Sequence, residues 1–378
     1  MRPKVAGPAT RIPLFRPDTG EAEARAVAEV LASGWLTTGP RSGELEALTA
    51  QATGTTFARS VSSCSMGLFL SLRAIGVGIG DVVITTAMTF AASVQAILWT
   101  GARAVLADVD DSTLLLDARS TTHTADALRR HGAPAKAVIA VHYAGQPAEV
   151  EAISEAAGGI PVIEDAAHAW GTVVAVKSCI ARCFSLYANK TITAGEGGVV
   201  VSDDPAVARY LIHGRDHGID ASVFGRQGDP TIAFEGFKGN LSDVNAAIAV
   251  VQLRRLADKR AVRQRIVRWY GDRLRGVETV RPLGSIDHRA TCPHLYVVRV
   301  PAPTRDRVRG ELHAAGIETA LHYRPIHHHP WMASRVWVPG PVPVVEQAAK
   351  EMLTLPLHEF LTEADVDEIC GIVTRAAR

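Results

Sequence analysis

The sequence lacks the features that mark disulfide-rich, zinc-binding and membrane-spanning proteins. Its five cysteines are odd in number, and no two of them are spaced as CxxC. Neither a disulfide framework nor a zinc knuckle is therefore expected, and a reducing cytoplasm is the default compartment. No apolar run reaches the roughly 18 residues of a membrane span. The first eight residues also lack the hydrophobic stretch of a signal peptide.

Net charge and compositional bias are also small. The 378 residues carry a formal net charge of +1, so no overall field favours nucleic acid or an anionic membrane as a partner. Hydrophobic residues make up 47% and charged residues 21%, which is typical of a soluble globular enzyme. The chain is long enough for two domains and a large core, and it contains no internal repeat or low-complexity segment.

Short apolar runs alternate with helical stretches between about residues 34 and 201, a pattern typical of an α/β sheet. This alternation predicts buried strands at 81–86, 104–106, 137–141, 161–163, 182–186 and 198–201. A long helical region follows at 242–275, and beyond it a strand at 295–300 is accompanied by helices. We predict a large domain with an N-terminal arm over residues 1–255 and a smaller α+β domain over residues 256–378.

One lysine, Lys190, stands out because a strand that ends in acidic residues lies upstream of it. A lysine that forms a Schiff base needs a carbonyl partner, and the commonest biological one is pyridoxal phosphate (PLP). PLP also needs a carboxylate against its ring nitrogen, because the protonated ring stabilises a carbanion. Asp165 can supply that carboxylate, since it directly follows a predicted strand, and Ser185 can supply a hydroxyl for the phosphate.

Further motifs follow one another along the chain, at residues 33–40, 62–68, 89–93, 141–147, 164–171, 184–198, 236–243, 322–327 and 355–358. In this order they resemble the DegT/StrS family of PLP-dependent sugar aminotransferases. The resemblance implies an α/β protein of PLP fold type I, in the aspartate aminotransferase superfamily. Such a protein has a mostly parallel central sheet in its large domain and a smaller α+β domain at its C-terminus.

The resemblance also implies roles for individual residues. The catalytic residues would be Lys190, Asp165 and His168. The residues that hold the cofactor would be Cys64, Ser65, Phe90, Asp165, His168, Ser185, Lys190 and Asn240. Within this set, the ring of Phe90 would stack on the pyridine, and the start of a helix at residues 62–66 would bind the phosphate. The keto acceptor would contact Thr37, Thr38, His322 and Tyr323.

Asn240 matches a family residue that reaches the phosphate of the neighbouring subunit's cofactor, which implies a homodimer with shared active sites. The implied reaction transfers an amino group from glutamate or glutamine, through pyridoxamine phosphate (PMP), to a keto sugar or keto cyclitol. A nucleotide-linked sugar is the expected acceptor, in secondary-metabolite or cell-surface sugar biosynthesis. Lys190, as a neutral amine, would move a proton during each half-reaction.

Two alternative functions stay open at this point. A PLP-dependent sugar dehydratase or lyase would share the fold, but relatives that dehydrate sugars carry histidine where Lys190 stands. A PLP-binding regulator without turnover is compatible with Lys190. The sequence also departs from the family pattern at Cys64, where glycine is usual, and at Met66, where alanine is usual.

Two further clusters have simpler interpretations. Three adjacent histidines, His327 to His329, do not share one face of an element, and prolines bracket them as a loop, so no metal site is expected. The basic residues between Arg254 and Arg268 are interpreted as the solvated face of a helix.

Overall fold

The structure, a computed structural model, describes residues 10–172, 179–220, 231–284 and 290–378. The first eight residues, where no signal peptide is expected, lie outside the described residues. The helices are α1 (Glu21–Ser33), α2 (Pro40–Thr53), α3 (Cys64–Ala74), α4 (Ala91–Trp99), α5 (Ala118–Arg130), α6 (Val150–Ala156), α7 (Pro205–Gly214), α8 (Asp243–Arg254), α9 (Leu256–Leu274), α10 (Ala302–Ala314), α11 (Pro330–Ala333), α12 (Pro343–Glu351) and α13 (Glu363–Ala376). Among the described residues, 3₁₀ turns lie at Tyr143–Gly145 and Ile326–His328.

The strands are β1 (Phe57–Val61), β2 (Val82–Thr86), β3 (Arg103–Ala107), β4 (Ala137–Val141), β5 (Val162–Asp165), β6 (Ala181–Ser185), β7 (Gly198–Ser202), β8 (Ile219–Asp220), β9 (Thr231–Ile232), β10 (Arg281–Pro282), β11 (Tyr296–Arg299), β12 (Val336–Trp337) and β13 (Met352–Leu355). Within the described residues, eight of them form a central sheet in the order β1-β7-β6-β5-β4-β2-β3-β12. Neighbours from β12 to β6 are parallel, and β7 is antiparallel to both of its neighbours.

The predicted mostly parallel sheet is confirmed, and its strands are buried on both faces. In β7, Val200 packs into the largest apolar cluster, whereas Val199 and Val201 pack into a second cluster on the opposite face. Strands of this kind are continuous apolar runs, because helices cover both faces of a parallel sheet.

A third apolar cluster lies in the C-terminal part of the chain. It contains residues of α9, α10 and α13 and of strands β11 and β13 in the small sheet β10-β11-β13, together with Ile12 near the N-terminus. The strand β12 comes from this part of the sequence but pairs with β3 at the edge of the central sheet. A domain boundary near residue 256 stays a prediction. No helix in the described ranges is long and apolar enough to cross a membrane.

The helical region predicted at 242–275 is not one helix but two. Arg255, with φ −96° and ψ 5°, ends α8 and begins α9. The two helices pack against different partners, because α8 contacts α1 and α2 whereas α9 contacts α13. The helix is therefore interrupted at Arg255 although the local sequence contains neither glycine nor proline.

The interpretation of the basic stretch as a solvated face is wrong for two of its residues. Lys259 and Arg263 are both buried. The Nζ atom of Lys259 lies 3.3 Å from Asp18, and Nε of Arg263 lies 2.9 Å from Glu359. These ion pairs compensate the cost of burying two positive charges, so this face of α9 is packed against the protein.

Candidate active site

The carboxyl ends of the parallel strands meet at one edge of the central sheet, where ligands bind in open α/β folds. Asp165 ends β5 and Ser185 ends β6. The segment after β2 leads to Phe90, and the segment after β1 leads to the start of α3. Because β7 is antiparallel, its first residue, Gly198, lies at the same edge and pairs with Ser185.

A cavity of about 510 Å³ opens at this edge, within the usual volume range of small-molecule sites. Of the predicted cofactor and catalytic residues, all except Asn240 line it, and so do the predicted acceptor residues His322 and Tyr323. The full lining is Ser63, Cys64, Ser65, Thr89, Phe90, Ala92, Val141, Asp165, Ala167, His168, Ser185, Tyr187, Asn189, Lys190, Glu196, Gly197, His322 and Tyr323.

Lys190 lies in the loop between β6 and β7, and its side chain lines the cavity. Burial lowers the pKa of Lys190 to about 8, and the opposing charge of Asp165 limits the decrease. An amine with this pKa has an appreciable neutral fraction near physiological pH, although the protonated form still predominates there. It can therefore act as a nucleophile or as a base, which an ordinary surface lysine rarely does.

Asp165 is buried, and neighbouring donors hold its carboxylate in place. Oδ2 accepts a 2.7 Å hydrogen bond from the Ser93 hydroxyl, and Oδ1 accepts one of 3.1 Å from the backbone N–H of Ala167. The thiol of Cys64 lies 3.8 Å from Oδ1. Burial raises the pKa of Cys64 well above its usual range, and the charge of Asp165 raises it further, so this thiol is neutral.

His168 is fixed as one neutral tautomer. Its Nδ1 accepts a hydrogen bond from the backbone N–H of Ala144 at 3.3 Å, so the ring proton is on Nε2 and points to the hydroxyl of Tyr323 at 3.0 Å. Burial lowers the pKa of His168 well below its usual range, and the nearby positive charge of Lys190 lowers it further. Burial also lowers the pKa of His322, to about 4.

The start of α3 also lines the cavity. The Ser63 side chain caps the helix by accepting a hydrogen bond from the N–H of Met66 at 3.1 Å, and Ser65 lies in the first turn. Gly198 approaches this turn so closely that an added Cβ would lie 2.7 Å from the backbone nitrogen of Cys64. Free backbone amides and the helix dipole make such a turn suitable for a phosphate group.

The comparison with protein families agrees with this geometry. A sequence model of the DegT/DnrJ/EryC1/StrS aminotransferase family matches residues 17–374. The chain belongs to this family.

Solved structures of similar proteins share the whole fold. The aminotransferase TlmJ from Streptoalloteichus hindustanus is 34% identical, with 97% of this chain and 98% of that chain covered and a TM-score of 0.86. Spr1654 from Streptococcus pneumoniae, in its PMP form, is 27% identical over 97% and 99% of the two chains, with a TM-score of 0.89. The sugar aminotransferase CalS13 from Micromonospora echinospora is 26% identical over 96% and 99%, with a TM-score of 0.87.

This member of the family is a PLP-dependent sugar aminotransferase, with PMP as the intermediate form of the cofactor. The cavity fits that cofactor on independent grounds. The ring of Phe90 is 61% exposed at its mouth and free to stack on a planar ligand. Oδ1 of Asn189, beside Lys190, is buried without a hydrogen-bond partner among the described residues. The carboxylate of Asp165, the amine of Lys190 and the start of α3 all line this one cavity.

Three of the predicted residues lie together but outside the cavity lining. The side-chain amide of Asn240 donates to the hydroxyl of Thr38 at 2.7 Å and lies 3.4 Å from that of Thr37. The backbone of Asn240 forms a bridge with Val61, just before the segment that starts α3. Roles for these residues in binding the cofactor or the acceptor therefore stay predictions.

Sequence reasoning missed several residues of the site. Ser93 lies within a recognised motif, but only the packing of α4 on the sheet shows that its hydroxyl reaches Asp165. His294 is buried, with its ring 4.5 Å from that of His168, and it comes from a distant segment. Asn189 directly precedes Lys190, and its position next to that lysine was the one feature of the sequence that could have identified it as a site residue.

Proposed function

We propose that this enzyme transfers the amino group of glutamate or glutamine to a keto sugar, most simply a nucleotide-linked one, or to a keto cyclitol. The observation that carries the proposal is a partly buried lysine with a pKa of about 8 that shares one cavity with a buried carboxylate. When bound, PLP supplies an aldehyde that takes up an amino group and a ring that delocalises negative charge.

Lys190 is proposed to hold the cofactor and to transfer the proton. With a pKa of about 8, its amine can accept a proton from a carbon acid and return it without a large energetic penalty. The charge of Asp165 would keep the ring nitrogen of the cofactor protonated, and Ser93 and Ala167 orient that carboxylate. Ser65, Ser185 and the start of α3 would hold the phosphate.

The acceptor is proposed to bind on the side of Tyr323 and His322. The Tyr323 hydroxyl accepts the hydrogen bond from His168 and keeps its own proton for a bound molecule. Burial raises the pKa of Tyr323 well above its usual range, so the hydroxyl remains a donor at physiological pH. His322 is held by a 2.9 Å contact between its Nδ1 and the hydroxyl of Thr354. Polar groups of this kind suit a sugar ring, and Thr37 and Thr38 would extend the site from a partner subunit.

The test separates the two halves of the reaction. PLP-loaded protein is mixed first with L-glutamate and then with L-glutamine, and the visible absorbance band of the bound cofactor is followed. We expect loss of this band with at least one donor. Nucleotide-linked keto sugars, free keto sugars and keto cyclitols are then added in turn, and return of the band identifies the acceptor class.

Lys190→Ala is the informative variant, and Lys238→Ala, at an exposed lysine, is its matched control. The first should lose both the band and turnover, whereas the second should behave as wild type. Absorbance that responds to neither donor would contradict the transferase and favour a PLP-binding regulator. Release of water from a sugar without amine uptake would favour a dehydratase.

A further inference from the structure

A second cluster of ligand-type side chains lies outside the cavity. Nε2 of His327 lies 2.7 Å from Oε1 of Glu346, and Nε2 of His328 lies 2.8 Å from the same oxygen. The three ligand atoms lie within 4.8 Å of one another. The expectation that adjacent histidines point apart is therefore wrong for this pair, which lies in the 3₁₀ turn Ile326–His328 and contacts one oxygen of Glu346.

We propose that His327, His328 and Glu346 form a binding site for a divalent transition-metal ion, with Zn²⁺ as the reference ion. Two imidazole nitrogens and one carboxylate are a donor set that zinc uses in proteins, with water completing the coordination. Nitrogen donors favour zinc and its transition-metal neighbours over Mg²⁺ and Ca²⁺, which prefer oxygen. This site is independent of the transferase reaction, since none of its residues lines the cavity.

The two contacts to Glu346 require only a small adjustment. Ligand atoms bound at about 2.0–2.1 Å to a tetrahedral zinc lie about 3.3 Å apart. The observed contacts to Glu346 would each need to lengthen by about half an ångström, which the carboxylate can allow because its side chain is 38% exposed. His328 is similarly exposed, at 36%, and this open side gives water access to the ion.

The backbone that carries the three ligands is well anchored. The N–H of Ile326 donates to the carbonyl of Ala87 at 3.0 Å, which attaches the 3₁₀ turn to the residue just after β2 in the central sheet. Asp108 accepts hydrogen bonds from the N–H groups of Val344 and Val345 at 3.0 and 2.9 Å, which holds the first turn of α12. Glu346 lies in that turn. Little conformational order therefore has to be created when the ion binds.

The tautomers of His327 and His328 limit the affinity of the site for Zn²⁺. In the observed arrangement both histidines present Nε2 protons to Glu346, and metal binding moves each proton to Nδ1. Nδ1 of His327 is buried and has no hydrogen-bond partner within the described ranges. A zinc-bound histidine normally donates this proton to an outer group, and loss of such a partner weakens binding by about 10–100-fold. We therefore expect a micromolar Kd, not a nanomolar one.

Isothermal titration of Zn²⁺ into PLP-loaded protein without a polyhistidine tag tests the site. We expect one ion per chain and a rise in Tm of about 3 °C at roughly a hundred times Kd. Co²⁺ should give the visible absorbance of a low-coordinate nitrogen and oxygen site. Failure of the wild type to bind either ion saturably would overturn the proposal.

Glu346→Gln and His328→Asn should each weaken Zn²⁺ binding at least tenfold. His329→Ala is the matched control, because this neighbouring histidine has no contact with Glu346 in the structure, and it should bind as wild type. The cofactor absorbance of each variant verifies folding, and the two ligand variants serve as alternatives if one fails to fold. Equal binding by the wild type, Glu346→Gln and His328→Asn would place the ion elsewhere and refute the site.

Discussion

Lys190 and Asp165 influence each other across the cavity, and burial has the larger effect on the lysine. Its pKa falls from 10.5 to about 8 because the charged amine loses solvent, while the carboxylate favours the charged form. The neutral amine is the species that attacks an aldehyde. The protonation state of this one residue therefore controls how fast the protein captures its cofactor.

The capture of PLP by the apoprotein should follow the titration of Lys190. We expect the rate to rise about tenfold per pH unit below pH 8 and to level off above it, because the neutral fraction saturates there. Stopped-flow absorbance between about pH 6 and pH 10 measures this profile, with Lys190→Ala as the blank. A rate that keeps rising to pH 10 would mean that the lysine titrates as an ordinary exposed one.

Asp165→Asn should change both the pKa of Lys190 and the turnover rate. Removal of the negative charge takes away a group that raises the pKa of Lys190, so the midpoint of the capture profile should move below 8. Turnover should fall by several orders of magnitude, because an amide cannot keep the ring nitrogen protonated. Ser93→Ala, which keeps the carboxylate and removes the Ser93 hydroxyl with its hydrogen bonds to Oδ2 and to the Thr89 hydroxyl, is the control and should lose about tenfold or less. Turnover of Asp165→Asn within a few-fold of wild type would contradict the role of the carboxylate.

At the scale of elements, the start of α3 and the start of β7 determine the phosphate end of the cavity. Gly198 is needed there because a side chain would meet the backbone of Ser63 at 2.7 Å and the carbonyl of Phe184 at 2.8 Å. Backbone atoms on both sides leave no flexible neighbour that could move away. Gly198, at the end of the glycine-rich segment and the start of β7, is therefore a packing requirement.

Gly198→Ala should shift the first turn of α3 and weaken PLP affinity at least tenfold, with about 1–3 kcal/mol of lost stability. Gly43→Ala is the matched control, because an added Cβ there meets nothing within 4 Å and alanine favours the helix. Equilibrium titration with PLP and thermal unfolding measure the two effects. Equal PLP affinity in both variants would show that the contact at Gly198 does not shape the phosphate site.

Whether the bounds of a helix or strand could be predicted from the sequence depends on the interactions that stabilise that element. The strand predicted at 137–141 is found at Ala137–Val141, because a strand buried on both faces is an uninterrupted apolar run. The break between α8 and α9 at Arg255 was not predicted, because arginine favours helix. On either side of this break the two helices pack against different partners, which the local sequence does not specify.

At the scale of the whole molecule, Asn240 and Thr38 lie beside each other and outside the cavity of their own chain. We predict that they complete the cavity of a second copy in a homodimer. Mixing Lys190→Ala with Asn240→Ala should then restore activity, because a mixed dimer contains one intact site. Full exchange of subunits makes half of the dimers mixed, so about a quarter of wild-type activity is expected at limiting PLP.

The control mixture combines Lys190→Ala with Asp165→Asn. Both changes affect the cavity of the chain that carries them, so no mixed dimer has an intact site and no activity should return. Sedimentation gives the mass of each species. A monomer, or equal activity in the two mixtures, would remove the basis for a shared site.

The sequence by itself predicted the reactive groups and determined the order of the motifs along the chain. Lys190, Asp165 and Ser185 could be assigned to PLP chemistry because few cofactors require an amine, a carboxylate and a phosphate-binding hydroxyl together. The order of the motifs also determined the family and hence the fold. These properties depend on residue type and local pattern, which a single sequence contains in full.

Only the tertiary structure decided which groups meet. The contact of Ser93 with Asp165, the tautomer of His168 and the convergence of His327 and His328 on Glu346 join segments far apart in sequence. The burial of Lys259 and Arg263 was likewise invisible in a basic helical stretch. Such contacts depend on sheet order, helix packing and solvent exclusion, and the local pattern of a chain specifies none of these.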